Sequence, residues 1–372
     1  MPRKSLFLRR LPPTALSQKK PMQPEFELPA VDGIVTADQI RATGQSIAEL
    51  QRPSGQIPWF PGGHCDPWNH VETAMALDVV GLHDKAAAAY GWLRDVQLPE
   101  GSWYQYYNND GVEQDKFDAN TIAYIAVGVW HHWLLTGDRE FLTTYWSVVD
   151  RAIEWVLALQ RPAGDIVWAR HSDGTPFSFS LLTGSSSISH SLKAAIAVAD
   201  ELGHDRPGWR PATARLATCI RDNEAAFAPK KRWAMDWYYP VMTGVVRGQA
   251  GIDRMRAGED KFIIRGAGVR CVANQDWVTS AETCEAVLAY LAVDQTERAL
   301  ELFAWAQCNR DADGAYFTGM VFPQRANFPG GERSAYTAAA NILAADALSG
   351  ASPASRLLWA HDAVPDVEPV SV

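Results

Sequence analysis

Apolar side chains recur every three to four positions along most of the chain, with small residues interleaved where helices could approach closely, as in Ala86-Ala-Ala-Ala-Tyr-Gly-Trp-Leu93 and Leu192-Lys-Ala-Ala-Ile-Ala-Val-Ala-Asp-Glu-Leu202. This periodicity predicts helices over residues 36–51, 67–81, 83–97, 117–136, 138–160, 185–202, 208–227, 247–257, 278–292, 294–307, 333–348 and 353–361. Strand-type alternation is scarce. Some joints are tight, at Gly81-Leu-His83, Thr136-Gly-Asp138 and Ala292-Val-Asp294. The stretches 52–66, 98–116, 161–184, 258–277 and 308–332 are long and rich in Gly, Pro and aromatics, the kind of connection that usually carries function.

A degenerate repeat marks where several long loops begin. Gln51-Arg-Pro-Ser-Gly-Gln-Ile-Pro-Trp59, Gln97-Leu-Pro-Glu-Gly-Ser-Trp103, Gln160-Arg-Pro-Ala-Gly-Asp-Ile-Val-Trp168 and Gln307-Cys-Asn-Arg-Asp-Ala-Asp-Gly-Ala-Tyr316 each end a helix with Gln, turn at Gly and return to an aromatic. About six helical hairpins with long loops on one rim close most simply into an all-α double ring, an (α/α)6 toroid. An open solenoid or two bundles are the other arrangements; unequal repeat spacing and the lack of a polar linker favour one closed domain. The expected organisation is a flexible basic tail over 1–30, one catalytic domain over 31–362 and a loose tail over 363–372.

Composition narrows the partners. The 372 residues are 47% hydrophobic, yet no unbroken apolar run is long enough to span a bilayer, so membrane insertion is not expected. Six basic side chains and no acid fall in the first twenty residues, leaving 28 basic against 43 acidic side chains beyond them. Such a body repels phosphate backbones, which excludes nucleic acid as a partner. Five scattered cysteines without a Cys-x-x-Cys pair indicate neither a disulfide framework nor a zinc site, and a reducing cytoplasm fits them. The apolar stretch Leu6 to Leu8 is too short for a secretory signal. No cofactor is implied, and nothing in the pattern specifies an oligomeric state. Fifteen Trp residues stand out, because flat indole faces suit sugar rings or isoprenoids.

The Gln-x-x-x-Gly-x-Trp form of residues 97–103 resembles the hairpin signature of two toroid classes, the terpene cyclases with protein prenyltransferases and the six-hairpin glycoside hydrolases. Isoprenoid chemistry needs Asp-rich motifs, and no Asp-Asp dipeptide occurs in this chain. The stretch from Asp115-Lys-Phe-Asp118 through Trp146 to Ala152-Ile-Glu-Trp-Val156 is similar to the central hairpin of glucoamylase-like hydrolases. It departs from them at Trp168, which is followed by Ala169 and Arg170 and not by the general-acid Glu. Over nearly the whole chain, Trp59-Phe-Pro-Gly-Gly-His-Cys-Asp-Pro-Trp-Asn-His-Val-Glu72, Gly101-Ser-Trp-Tyr104, Asp276-Trp-Val-Thr-Ser-Ala-Glu282-Thr283 and Phe328-Pro-Gly-Gly-Glu332 together resemble the actinobacterial methylmannose polysaccharide hydrolases. That resemblance implies a cytosolic endo-α-(1→4)-mannosidase acting on partially O-methylated mannan, with inversion at the anomeric centre as in most six-hairpin hydrolases. The competing readings are a glucoamylase-like or disaccharide-directed hydrolase and a non-catalytic toroid binding an oligosaccharide or lipid.

Glycoside hydrolysis needs two carboxylates flanking one bond. Asp66 lies in a Gly-Gly turn before Pro67, bracketed by His64, Trp68, Asn69 and His70; its ordinary reading is a helix N-cap, its functional reading the general acid. Glu282 falls in the first turn of the next candidate helix, where the dipole favours an ionised base; Thr279-Ser-Ala-Glu282 also matches a capping box. Glu332 competes with it at another expected helix start, with Arg333 beside it as a candidate structural pair. Asp118 is expected to bind a hydroxyl. A metal reading of His64, Asp66, His70 and Glu72 fails on spacing, because two His residues six apart across a Pro do not share a helix face. Trp59, Trp68, Trp103, Tyr104, Tyr106 and Trp277 are expected to form sugar-stacking subsites, and Asp276 to bind substrate beside Trp277.

Overall fold

Three of the four repeats are clasps between neighbouring outer helices, whereas Gln307 of the fourth bonds Phe303 O and Asn341 Oδ1. In the computed structural model, which describes residues 26–367, the carboxamide of Gln51 donates to its own turn at Gly55 O (3.2 Å) and across to Lys85 O (2.8 Å). Gln97 does the same to Gly101 O (3.0 Å) and Val148 O (2.9 Å), and Gln160 to Gly164 O (3.0 Å) and Ala212 O (2.8 Å). The glycines of the motif have positive φ, +94° at Gly55, +104° at Gly101 and +99° at Gly164. A Cβ at these three would overlap the backbone carbonyls of Ala88, Arg151 and Arg215, so glycine is required twice over. Gly314, at φ +96°, sits the same way against Ala42.

The helices, in chain order, are α1 (Ala37–Leu50), α2 (Pro67–Val79), α3 (His83–Val96), α4 (Ala119–Ala123), α5 (Ile125–Thr136), α6 (Arg139–Leu157), α7 (Leu182–Leu202), α8 (Trp209–Asp222), α9 (Met235–Met242), α10 (Gly248–Phe262), α11 (Ser280–Leu291), α12 (Thr296–Ala306) and α13 (Ala335–Ser349). Six of them are buried nearly all round: α2 packs on α5, α5 on α7, α7 on α9, α9 on α11, α11 on α13, and α13 on α2. Short α4, buried at every residue, leads into α5 on the inside; the rest lie outside. α3 covers α2, α6 covers α5 and α7, α8 covers α7, α10 covers α9, and α12 covers α11, while α1 packs on α13 and α2. Outer helices such as α6 bury one face, among them Phe141, Leu142, Tyr145, Val148, Val149 and Ala152, as a surface-to-core stripe requires. One contiguous cluster of apolar residues runs from Val31 to Val364.

Three expectations change. The segment 353–361 is a run of turns and not a helix; Pro353 follows Ser352, whose N–H and hydroxyl bond the carboxylate of Asp346 (2.9 and 2.6 Å) and bend the chain there. α9 was not anticipated, because Asp236-Trp-Tyr-Tyr-Pro240 combines aromatics with an internal proline, both poor helix signals. The loops also hold short strands: β1 (Tyr106–Asn108), β2 (Gly111–Gln114), β3 (Phe117–Asp118), β4 (Ala169–Arg170), β5 (Ile263–Ile264), β6 (Gly268–Arg270), β7 (Trp277–Thr279), β8 (Phe317–Val321) and β9 (Ala326–Arg333). β1 pairs with β2 and β3 with β4; β5 to β9 form one antiparallel sheet in chain order. Strands of two or three residues are too short to show alternation. Of the basic tail expected over 1–30, residues 1–25 lie outside the described residues, as do 368–372 of the expected C-terminal tail.

The clasp predicts a contrast between two glycines. Gly101→Ala should cost about 3 kcal/mol, from the positive φ and the overlap with Arg151 together. Gly91→Ala, inside α3 with open space around it, should gain about 0.5–1 kcal/mol. Urea denaturation of both variants measures the difference; equal stabilities would show that the clasp does not constrain the turn.

Candidate active site

Asp66 and Asp118 are built alike. Each caps an inner helix, Asp66 for α2 and Asp118 for α4, and each accepts the indole N–H of a repeat's terminal tryptophan. Trp59 donates to Asp66 Oδ2 (2.7 Å), while Asn69 donates its backbone N–H (3.0 Å) to Oδ1 and its carboxamide (2.7 Å) to Oδ2. For Asp118, the backbone N–H groups of Asn120 (3.0 Å) and Thr121 (3.3 Å) bond Oδ1, and Trp168 bonds Oδ2. Both carboxylates face a cavity of about 370 Å³ walled by Trp59, Trp68, Asn69, Tyr106, Trp168 and Trp233. Asp66 is therefore an N-cap and a cavity residue at once. Burial raises the pKa of both groups above the ordinary carboxylate range against the opposing pull of their hydrogen bonds; Lys116 is the chief opposing influence at Asp118. Burial favours the protonated carboxyl that a general acid needs, while the donors on both oxygens fix its orientation and favour the anion.

The cavity holds a third carboxylate that sequence reasoning missed. Asp236, in the first turn of the unanticipated α9, accepts the hydroxyl (2.6 Å) and N–H (3.3 Å) of Thr183 at the start of α7, and burial raises its pKa too. Two more acids lie deeper. Glu72 is six residues into α2 from Asp66 and accepts Tyr124 Oη (3.2 Å); burial first, then the charge of Asp66, raises it to about 7. Glu285, one turn past Glu282 on α11, accepts the hydroxyls of Tyr238 and Tyr239 and is raised by burial, by Glu72 and by Glu282. The signal for both was an acid at a core-facing helix position.

Glu282 lies apart from the walls of the 370 Å³ cavity. It sits in the first turn of α11 as expected, but the Thr279 side chain makes no capping bond, so the capping-box reading fails. Its charge is felt by Tyr336, whose phenol is held up by burial and then by Glu282. Tyr336 packs edge-on against Trp59 with centroids 4.9 Å apart, and Trp59 bonds Asp66. The two candidate catalytic acids are thus linked through one indole and one phenol.

Other candidates divide. His64 stacks on Tyr106 (4.4 Å) and meets Trp59 edge-on (4.4 Å), so this aromatic group is assembled as expected. Trp68 packs edge-on against Tyr124 and Tyr239. Trp277 stacks on Phe328 (4.9 Å) on the sheet, with Asp276 exposed beside it and paired to Arg270 (3.5 Å), away from the cavity. Three expectations are corrected. Trp103 is fully buried and donates to Leu93 O (2.8 Å), so it packs the clasp and offers no face to a sugar. His70 is a core histidine: its Nε2 meets Ala89 O (2.9 Å) and its Nδ1 accepts Ile57 N–H (3.2 Å). Glu332 lies in β9 and not at a helix start, accepting Thr318 Oγ1 (2.9 Å), and Arg333 pairs with Asp311 and Asp313 instead. Tyr104 stacks on Phe117 (5.2 Å) outside the cavity wall.

No protein-family model matches the chain. Among solved structures, a glycosidase variant in complex with glucose is similar at TM-score 0.66 and 17% identity, covering 85% of this chain and 97% of its own. The GH63 mannosylglycerate hydrolase of Thermus thermophilus gives 0.64 at 11% identity, covering 82% and 99%, and the cellobiose 2-epimerase of Spirochaeta thermophila 0.61 at 16%, covering 84% and 97%. These likenesses establish a shared helix-rich fold. At the level of sequence, the MMP endo-(1,4)-3-O-methyl-alpha-D-mannosidase of Mycolicibacterium hassiacum is 48% identical over 335 residues, 90% of this chain and 93% of the relative. Identity of that extent, on a fold carrying paired carboxylates among indoles, places the protein among the glycoside hydrolases. It belongs to the family of that mannosidase.

The raised Glu72 has a consequence for stability. A folded-state value of about 7 against an ordinary 4.5 means that the folded chain retains a proton the unfolded chain has lost, so stability is fully present below pH 4.5 and falls as pH rises through 7. Glu72→Gln removes that loss and should gain on the order of 3 kcal/mol at pH 8, shrinking to near zero at pH 4. Denaturant midpoints at the two pH values test it; a pH-independent difference would show that Glu72 titrates normally.

Proposed function

We propose that the protein is an endo-acting hydrolase of α-(1→4)-mannosidic bonds in methylmannose polysaccharide, with Asp66 as general acid and Glu282 as general base on an (α/α)6 toroid. The observation that carries this reading is Asp66: buried, raised, held by Trp59 and Asn69, and facing an aromatic cavity in a chain 48% identical to an enzyme named for that activity. The six inner helices, each packed on the next, support the toroid, and the main apolar cluster, running from Val31 to Val364, supports one domain over 31–362. Trp59, His64, Trp68, Asn69, Tyr106 and Asp118 form the sugar-binding wall, and Trp277 with Asp276 a further subsite near the sheet. Methyl ethers make mannose more apolar, so indole faces gain more from a methylated than from a bare sugar. A glucoamylase-like specificity is the alternative. Five free cysteines support a cytoplasmic location. Among the described residues no helix is long and apolar enough to cross a membrane.

Asp66 delivers its proton to the glycosidic oxygen while Glu282 takes one from a water attacking the opposite face of the sugar, which inverts the anomeric centre. Inversion requires carboxyl groups roughly 6.5–9.5 Å apart, with room for that water. Asn69 and Trp59 hold Asp66 in place during transfer, since both bond the same Oδ2.

Asp66→Asn and Glu282→Gln should each lower kcat roughly 10³-fold with circular dichroism and Tm little changed, because an amide keeps the shape and removes the proton transfer. Near wild-type turnover in either variant would remove that residue from the mechanism, and Glu332→Gln would then be the next test. Time-resolved mass spectrometry on methylated α-(1→4)-mannan should show mid-length oligosaccharides before free mannose, and faster cleavage than on amylose. Proton NMR of the first product should show the β-anomer. Early monosaccharide alone, or preference for amylose, would return the chain to the glucoamylase-like reading.

A further inference from the structure

A second cavity, of about 330 Å³, lies between α7, α8 and the start of α10, where Lys193, Arg221, Arg247 and Asp366 meet an apolar wall of Ala217, Val245, Val246 and Val367. Counting 1.5 Å per helical residue, Lys193 lies about 15 Å along α7 from Thr183 of the glycosidic cavity, so the two sites are separate.

The charges in this cavity do not balance. Arg247 is held by Asp366 through both terminal nitrogens (3.2 and 3.0 Å), and Arg221 by Asp222 (2.8 and 2.6 Å). Lys193 is only 4% exposed, and among the described residues no carboxylate or hydrogen-bond acceptor pairs with its ammonium. The neighbouring histidines supply no negative charge: His190, one turn earlier on α7, is lowered by burial and by Lys193, and His361, packed against Gly244 at the cavity edge, by burial, Arg247 and Lys193. Burial, and then Arg247, lower Lys193 to about 8, with Asp366 opposing them. The group is therefore still mostly cationic at pH 7. Lys193 lines the cavity, and the carboxylate that attracts its charge, Asp366, is already engaged by Arg247, so the cavity presents a cation to whatever enters it.

We propose that this cavity is a binding site for a small organic anion, a carboxylate or phosphate ester with a short aliphatic body, whose head pairs with the Lys193 ammonium between Arg247 and Arg221. The valines and Ala217 receive the aliphatic part. The single uncompensated charge sets the stoichiometry at one anionic head per chain.

Acetic anhydride labelling of the whole protein, read by peptide mass spectrometry, tests the site. Inorganic phosphate and hexanoate are added separately against chloride at equal ionic strength. Either probe should slow acetylation of Lys193 several-fold while exposed lysines such as Lys231 are unaffected; which probe protects identifies the head group. Calorimetric binding of the protecting probe should vanish in Lys193→Met, with mannan hydrolysis unchanged. Equal labelling of Lys193 in phosphate, hexanoate and chloride would overturn the proposal, as would undiminished binding by Lys193→Met. Should that variant fail to fold, the labelling of the wild-type chain decides alone.

Discussion

The contact on which the rest depends is the glutamine clasp. One carboxamide at the end of an outer helix satisfies its own turn and the backbone of the next outer helix, so turn geometry and helix spacing are fixed by the same two hydrogen bonds. Each bond adds only about 1 kcal/mol, yet the glycine four residues on converts it into a steric constraint. With no Cβ, the turn lies against the neighbouring backbone; with one, it could not. Arg151 and Arg215 reinforce the contact by bonding the free carboxamide oxygens of Gln97 and Gln160.

The clasp also aims the site. Two of its copies end in Trp59 and Trp168, whose indoles reach the N-cap carboxylates Asp66 and Asp118. The same motif that spaces the outer helices thereby delivers a donor to the carboxylates that cap inner helices. In the third copy Trp103 turns inward to Leu93 O, and no carboxylate is served. The copies therefore have different chemical fates although their turns are alike.

This difference explains what the sequence could tell. Hairpins, long loops and the roles of Gln and Gly were legible because periodicity and turn chemistry are local. Asp66 was legible because a Gly-Gly turn before Asp-Pro among aromatics is also local. The direction of Trp103, the use of both His70 nitrogens by Ala89 and Ile57, and the placement of Glu332 on a strand depend on partners far along the chain or on register. Asp236 was hidden by Pro240, which masked the helix presenting it. Glu72 and Glu285 look like ordinary helical acids until the inner helices pack together and bring Tyr124, Tyr238 and Tyr239 onto them.

Those two deeper acids complete the electrostatics of the site. Glu72 stands below Asp66 on α2 and Glu285 below Glu282 on α11, so each proposed catalytic group has an acid beneath it on its own helix. Were both deeper carboxyls ionised, their field would oppose ionisation of Asp66 and Glu282 alike. Burial opposes this: it pushes Glu72 up to about 7 and Glu285 well above its ordinary value, and three tyrosine hydroxyls bond the pair. The deeper carboxyls are thus buffered by burial and by phenol donors and not by cations. The two proposed catalytic groups differ at the rim: Asp66 is enclosed by Trp59 and Asn69, whereas Glu282 lies in the first turn of its helix, at the positive end of the dipole.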